Sequence, residues 1–152
     1  MLFEERLLKI IKRRYNYDDE QLDIFSRNER NKEVLDKINE LNETIIKLTV
    51  VESHGCNSQH KIGDAIYFDG AGNILTKYCP AKICSYLLSN ANMLIFTSNE
   101  FIYAGISPMQ MKFRRCSCFD VGVRCGGLGK IVLELSIMRK KEMEDEITKR
   151  SI

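Results

Sequence analysis

Two runs rich in β-branched residues, TIIKLTVVES (44–53) and GKIVLELSIM (129–138), constrain this chain most. Side chains branched at Cβ pack well on a pleated surface, and a strand needs neighbours to satisfy its backbone. Two further segments read as strands. DAIYFDGAGN (64–73) runs into a glycine-containing turn, and MKFRRCSCF (111–119) alternates apolar and polar residues. ILTKY (74–78) is long enough to climb back along the sheet as a short strand. Between the strand pairs, AKICSYLLSNANMLIF reads as a helix on the spacing of Ile83, Leu87 and Leu88, with Pro80 at its first position and Cys79 as its N-cap. The segment from Met93 to Tyr103 is a second helical stretch or irregular.

The first forty residues carry helical spacing instead. Phe3, Leu7, Ile10 and Ile11 form one stripe, Asp18 is an N-cap for a short second helix, and Val34, Leu35, Ile38 and Leu41 mark a third. Such short helices are marginal alone, so their stripes are expected to face a core, a partner or a second copy. The expected fold is α+β: a helical N-terminal portion (1–42), a small, mainly antiparallel sheet of about four strands with helix between the strand pairs (43–138), and a charged, partly frayed helical tail (139–152).

Composition narrows the function classes. With 44% apolar and 29% charged residues, the 152-residue chain can bury a core as an ordinary globular domain. A net charge of +2 is too small for phosphate contacts to be the main task, and the basic runs KIIKRR and MRKK are followed by acidic ones. No apolar run reaches the ~18 residues that span a bilayer. MLFEERLLKI has acidic residues where a secretion signal needs a basic and then an apolar region. Neither nucleic acid nor a membrane is therefore an expected partner, and the expected compartment is the cytoplasm. There, six cysteines would be reduced and suited to metal or redox chemistry.

SHGCNSQHKIGD (53–64) gathers both histidines, one cysteine and an aspartate in a polar loop. If the strands run alternately up and down, this loop, Cys79, the end of the third strand and the connection FDVGVRCGGLG meet at one edge of the sheet. Cys56, His60, Cys79 and Cys125 are then the expected ligands, with Cys118, Cys84 and His54 as weaker candidates. Three thiolates and an imidazole suit zinc in a closed tetrahedral site or an iron–sulfur cluster. The spacing matches no standard zinc ribbon or ferredoxin run. Asp64 is placed to orient His60 from behind. Each residue also has a plainer reading: Cys84, Cys116 and Cys118 as small core residues, His54 as a surface histidine, Gly-Asp as a turn. Cys79 has a third: a thiol at a helix N-terminus gains thiolate character, so with His60 it is a candidate nucleophile. Asp120 and Arg124, near the same edge, would then hold a small anionic substrate.

CNSQHKIGD, YCPAKIC and the closing CGGLGKIVLEL resemble a poorly characterised prokaryotic family of small Cys/His proteins. Its pattern is Cys-x3-His-x2-Gly-Asp, a Cys-Pro before a helix, and a late Cys before the final strand. The resemblance covers residues 45 to 136 and implies Cys56, His60, Gly63, Asp64, Cys79 and Cys125 as the shared positions. Gly126-Gly127 stands where the family has Pro-Asp. The family carries no settled activity; in size and cysteine use alone the chain is similar to small iron–sulfur subunits of anaerobic glycyl-radical enzymes.

Three functions follow as expectations. The first is a metal- or cluster-binding accessory subunit or redox partner of a larger, possibly anaerobic, prokaryotic enzyme system. The second is an enzyme using a Cys/His metal site or Cys79 as nucleophile. The third is a structural or interaction protein with inert cysteines, docking through its N-terminal helices on a protein partner or a second copy. GAGN and GVRCGGLG lack the context of phosphate-binding loops and read as turns.

Overall fold

The computed structural model describes residues 3–150, and the side chains of 5–149. The chain divides into two compact units, 1–39 and 40–152.

In the first unit, helices α1 (Phe3–Tyr15) and α2 (Asp19–Arg27) precede the beginning of α3 (Glu29–Glu43). Asp18 does cap α2. Its carboxylate accepts from the Gln21 N–H at 2.8 Å, and the Gln21 side chain accepts from the Asp18 N–H at 3.0 Å. This reciprocal box satisfies two N–H groups that a helix start leaves without partners. Leu7 and Ile11 of α1 meet Leu35 and Ile38 of α3 in a small core bordered by Tyr17 and Phe25. Ile10, Tyr15 and Ile24 stay exposed.

The second unit holds a four-stranded antiparallel sheet in the order β2-β1-β4-β3: β1 (Thr44–His54), β2 (Ala65–Asp69), β3 (Arg115–Ser117) and β4 (Lys130–Arg139). The two β-branched runs are the paired centre, so the α+β fold follows the periodicity. Helix α4 (Ser85–Tyr103) covers one face and α5 (Lys140–Arg150) the other. Ile46, Leu48 and Val50 of β1 and Ile131, Leu133 and Leu135 of β4 point at Leu87, Ala91, Leu94 and Ile95 of α4. Alternate residues Ile45, Ala65 and Tyr67 bury Met143 of α5. A bulge between Val50 and Glu52 shifts the phase, so that Ser53, opposite Ile131, again faces α4.

Three segments differ from their sequence reading. α4 is one continuous helix to Tyr103, with nothing irregular after Met93. It begins at Ser85 with Cys84, not Cys79, at its N-cap. ILTKY makes a single bridge, Ile74 to Phe68, then coils into a 3-10 turn at Thr76–Tyr78 that ends at Cys79. Pro80 thus starts an irregular link and no helix, because the Cys79 thiol is held against β2 by the Tyr67 N–H (3.3 Å). The last segment is helical, and Met143 and Ile147 anchor it on the sheet. Ser151 and Ile152 lie outside the described residues. Among the described residues, no helix is long and apolar enough to cross a membrane.

Candidate functional site

The rim expected to gather the site is built by close backbone contact. β1 ends at His54-Gly55 against Leu128-Gly129, where a Cβ on Gly129 would lie 2.2 Å from the Gly55 carbonyl oxygen. The connection from β3 to β4 folds around one carboxylate. Asp120 accepts from the N–H groups of Gly122 (2.9 Å), Leu128 (3.0 Å) and Gly129 (2.9 Å). The Gly129 N–H, then that of Gly122, holds its carboxyl below the usual carboxylate range. This anchor is complete above pH ~4 and is lost as pH falls through the lowered value. Gly127 must lack a side chain, since a Cβ there would sit 2.0 Å from Asp120 Oδ1. Asp120 therefore organises its own loop. Arg124 is exposed in the 3-10 turn Val123–Cys125, and Cys125 is exposed beside it.

Five thiols border the core on the α4 side: Cys56, Cys79, Cys84, Cys116 and Cys118. Cys116 and Cys118 share a strand face, two residues apart. The Cys118 sulfur accepts the Ile131 N–H at 3.3 Å, tying the loop to β4. Burial, then the neighbouring Cys118, pushes the Cys116 thiol up to about 11.

Cys79 also borders the cluster under α5, and it sits at a different level of the sheet from Cys56. Its sulfur sits at Tyr67, opposite Lys47, whereas Cys56 follows His54, opposite Lys130. The steps from 47 to 54, one spent in the bulge, span about 20 Å at ~3.3 Å each. Cys56 is two residues further on, so even if those two fold fully back its level is about 13 Å along the sheet from that of Cys79, while two ligands of one zinc are within about 4 Å of each other. The alternating-strand argument failed at ILTKY, where a turn replaced the climbing strand and left Cys79 partway along β2. No helix dipole favours its thiolate, and burial raises its pKa. The nucleophile reading loses its electrostatic basis.

His60 is buried, with 4% of its surface exposed. Ser53 donates to its carbonyl at 2.6 Å, and Gln59 takes a left-handed φ of 60° just before it. Its Nδ1 is 3.8 Å from Asp64 Oδ2, and its Nε2 has no hydrogen-bond partner. Asp64 in turn accepts from the Lys61 N–H at 2.8 Å. A carboxylate near one nitrogen and nothing at the other is how a metal-ligating imidazole is often supported. The donor set around it is not complete: among the described residues, no three His, Cys, Asp or Glu side chains are grouped to hold a metal ion. His54 is exposed at the end of β1.

The sequence reading passed over a feature on α4. A surface helix normally shows one apolar stripe, but SYLLSNANMLIFTSNEFIY is apolar on several sides, the signal that was available. Met93 (70% exposed) and Phe96 (64%) project from it, and Phe113 (80%) stands nearby before β3. Between α4 and this segment runs an apolar groove of about 340 Å³, floored by Leu94, Phe101 and Met111.

Comparison of the chain with protein-family models, curated proteins and solved structures finds no match.

The thiol environments predict an order of alkylation. At pH 7.5 a thiol of pKa about 11 carries roughly 300-fold less thiolate than an ordinary one near 8.5. Its higher intrinsic nucleophilicity recovers part, leaving Cys116 about 20-fold slower before any effect of burial. Peptide mapping after timed iodoacetamide treatment is expected to show exposed Cys125 labelled first and Cys116 among the last. Rapid labelling of Cys116 would contradict its assigned surroundings.

Proposed function

We propose that this is an accessory protein: a small cytoplasmic α+β module that binds a larger protein through the exposed face of α4 and the segment before β3, with most of its cysteines serving its own fold. The observation that carries the reading is the exposure of Met93 and Phe113 at one apolar groove, with Phe96 exposed on the same helix as Met93. Single exposed apolar residues are ordinary, but large ones gathered at a concave surface mark interaction sites. The sulfurs of Cys79 and Cys118 accept backbone N–H groups, and the Cys79 and Cys116 thiols are held protonated, as structural residues would be.

The test compares wild type with Met93→Asp/Phe113→Asp as baits in extracts of the native host. Both positions are exposed, so stability should change by less than ~0.5 kcal/mol per site. One protein retained stoichiometrically by the wild type and lost from the variant is expected. Equal recovery on both overturns the proposal. If only self-association through the N-terminal helices is found, the exposed Ile24 face would be the interface and the α4 assignment would fail.

His60 favours a second reading, a metal-binding accessory subunit holding zinc or an iron–sulfur cluster, with His60 Nε2 and Cys56 as this chain's ligands. Anaerobic purification followed by zinc, iron and sulfide analysis tests it. Stoichiometric metal lost in both His60→Gln and Cys56→Ala supports it; metal-free wild type excludes it.

A further inference from the structure

We infer that the partner is engaged as an extended, acid-bearing segment that adds as a fifth strand to the outer edge of β3, with its apolar side chains in the groove beside α4. This rests on the accessory reading above and specifies the chemistry of the bound segment.

The backbone register supplies the first argument. Arg114 accepts from the Leu135 N–H at 2.8 Å, and Cys118 donates to the Ile131 carbonyl at 3.0 Å. The ladder therefore bonds even-numbered residues of β3 to β4, and the odd-numbered ones turn their N–H and C=O outward. The Ser117 carbonyl is outward and is met by Asn90 Nδ2 of α4 at 2.8 Å. That contact closes one end of the edge. Arg115 remains with both backbone groups directed away from the sheet, and the chain continues toward exposed Phe113 beside the groove. An unpaired edge next to an apolar groove is the geometry that strand addition uses: main-chain bonds give affinity and alternate side chains fill the pocket.

Charge supplies the second argument and selects the occupant. Lys112, Arg114 and Arg115 lie along this edge, and Glu134, paired with Arg115 at 3.1 Å, is the acid lining it with them. A second copy pairing edge to edge would bring the two arginine clusters together, which like charges across a strand pair disfavour. A segment with Asp or Glu opposite these cations is complementary. Charges on an edge also protect against unwanted pairing. Protection alone accounts for the cations, but not for Phe113 at 80% exposure beside Met93 at 70%, since apolar groups there make the edge more adhesive.

The experiment selects heptapeptides from a random displayed library on the full chain, with Phe113→Asp as the counter-target. Binders are synthesised and the amide exchange of Arg115 is followed by NMR. The expected result is enrichment of Asp or Glu alternating with Val, Ile or Phe. Arg115 amide exchange should slow at least tenfold in the complex, and N-methylation of the peptide backbone at the paired residue should weaken binding at least tenfold. No enrichment over the Phe113→Asp target overturns the inference. So do binders that leave Arg115 exchange unchanged, or basic or helical binders. If the native-host experiment still retains a partner lost in Met93→Asp/Phe113→Asp, the accessory reading stands and only the strand-addition geometry is rejected.

Discussion

Gly129→Ala is expected to destabilise the protein by about 3 kcal/mol or more, the upper range for overpacking a site that cannot yield. The new Cβ would lie 2.2 Å from the Gly55 carbonyl oxygen, 2.6 Å from the Gly55 carbonyl carbon and 2.9 Å from the His54 carbonyl oxygen. All three are backbone atoms, so no side-chain rotation relieves the clash and the ends of β1 and β4 must part. At ~4 °C per kcal/mol for a unit of this size, the melting temperature should fall by about 12 °C. Gly126→Ala is the control. That residue has φ 85° and nothing within 4 Å of its would-be Cβ, so only the left-handed strain of about 1–2 kcal/mol remains. Urea unfolding of both variants measures the difference. Equal losses would mean that the β1–β4 contact is looser than described.

Met143→Ala is expected to cost about 3 kcal/mol, within the ~2–5 kcal/mol range for removing a buried Met side chain and leaving a cavity. Met143 is 1% exposed, packed on Ile45, Ala65 and Tyr67. One helical turn on, Glu146 receives the Lys47 ammonium at 2.6 and 2.8 Å and the Tyr67 hydroxyl at 3.3 Å. Loosening Met143 therefore also weakens a half-buried ion pair. Hydrogen exchange should show α5 amides losing protection before those of β4. A loss below ~1 kcal/mol with α5 protection intact would show that the helix does not depend on this contact.

That prediction falls on a segment the sequence described as a charged, partly frayed helical tail. Met143 and Ile147, four residues apart, were the one sign of an apolar stripe in KKEMEDEITKR. They gain weight only once β1 and β2 present Ile45, Ala65 and Tyr67 on the face opposite α4. The cysteines show the same limit. Their residue types were legible, as was the shared face of Cys116 and Cys118, because alternation along a strand is local. Cys79 was misplaced because its height along the sheet depends on whether ILTKY climbs or coils. That height is fixed by the bond from Tyr67 N–H to its thiol, together with the thiol's own bond to the Leu75 carbonyl and the Leu75 N–H to Tyr67 carbonyl bond. The convergence of three N–H groups from residues 122 to 129 on Asp120 was not legible, since nothing local announces it.

By itself the sequence determined the helical beginning, the two central strands, the α4 region and the α+β class, since periods of 3.6 and 2 are written residue by residue. The tertiary structure alone decided which thiols share a level, that His60 is buried beside Asp64, and that Met93, Phe96 and Phe113 remain uncovered. Those outcomes are set by pairing register and by what each face packs against, and both are fixed by contacts between residues far apart in the chain.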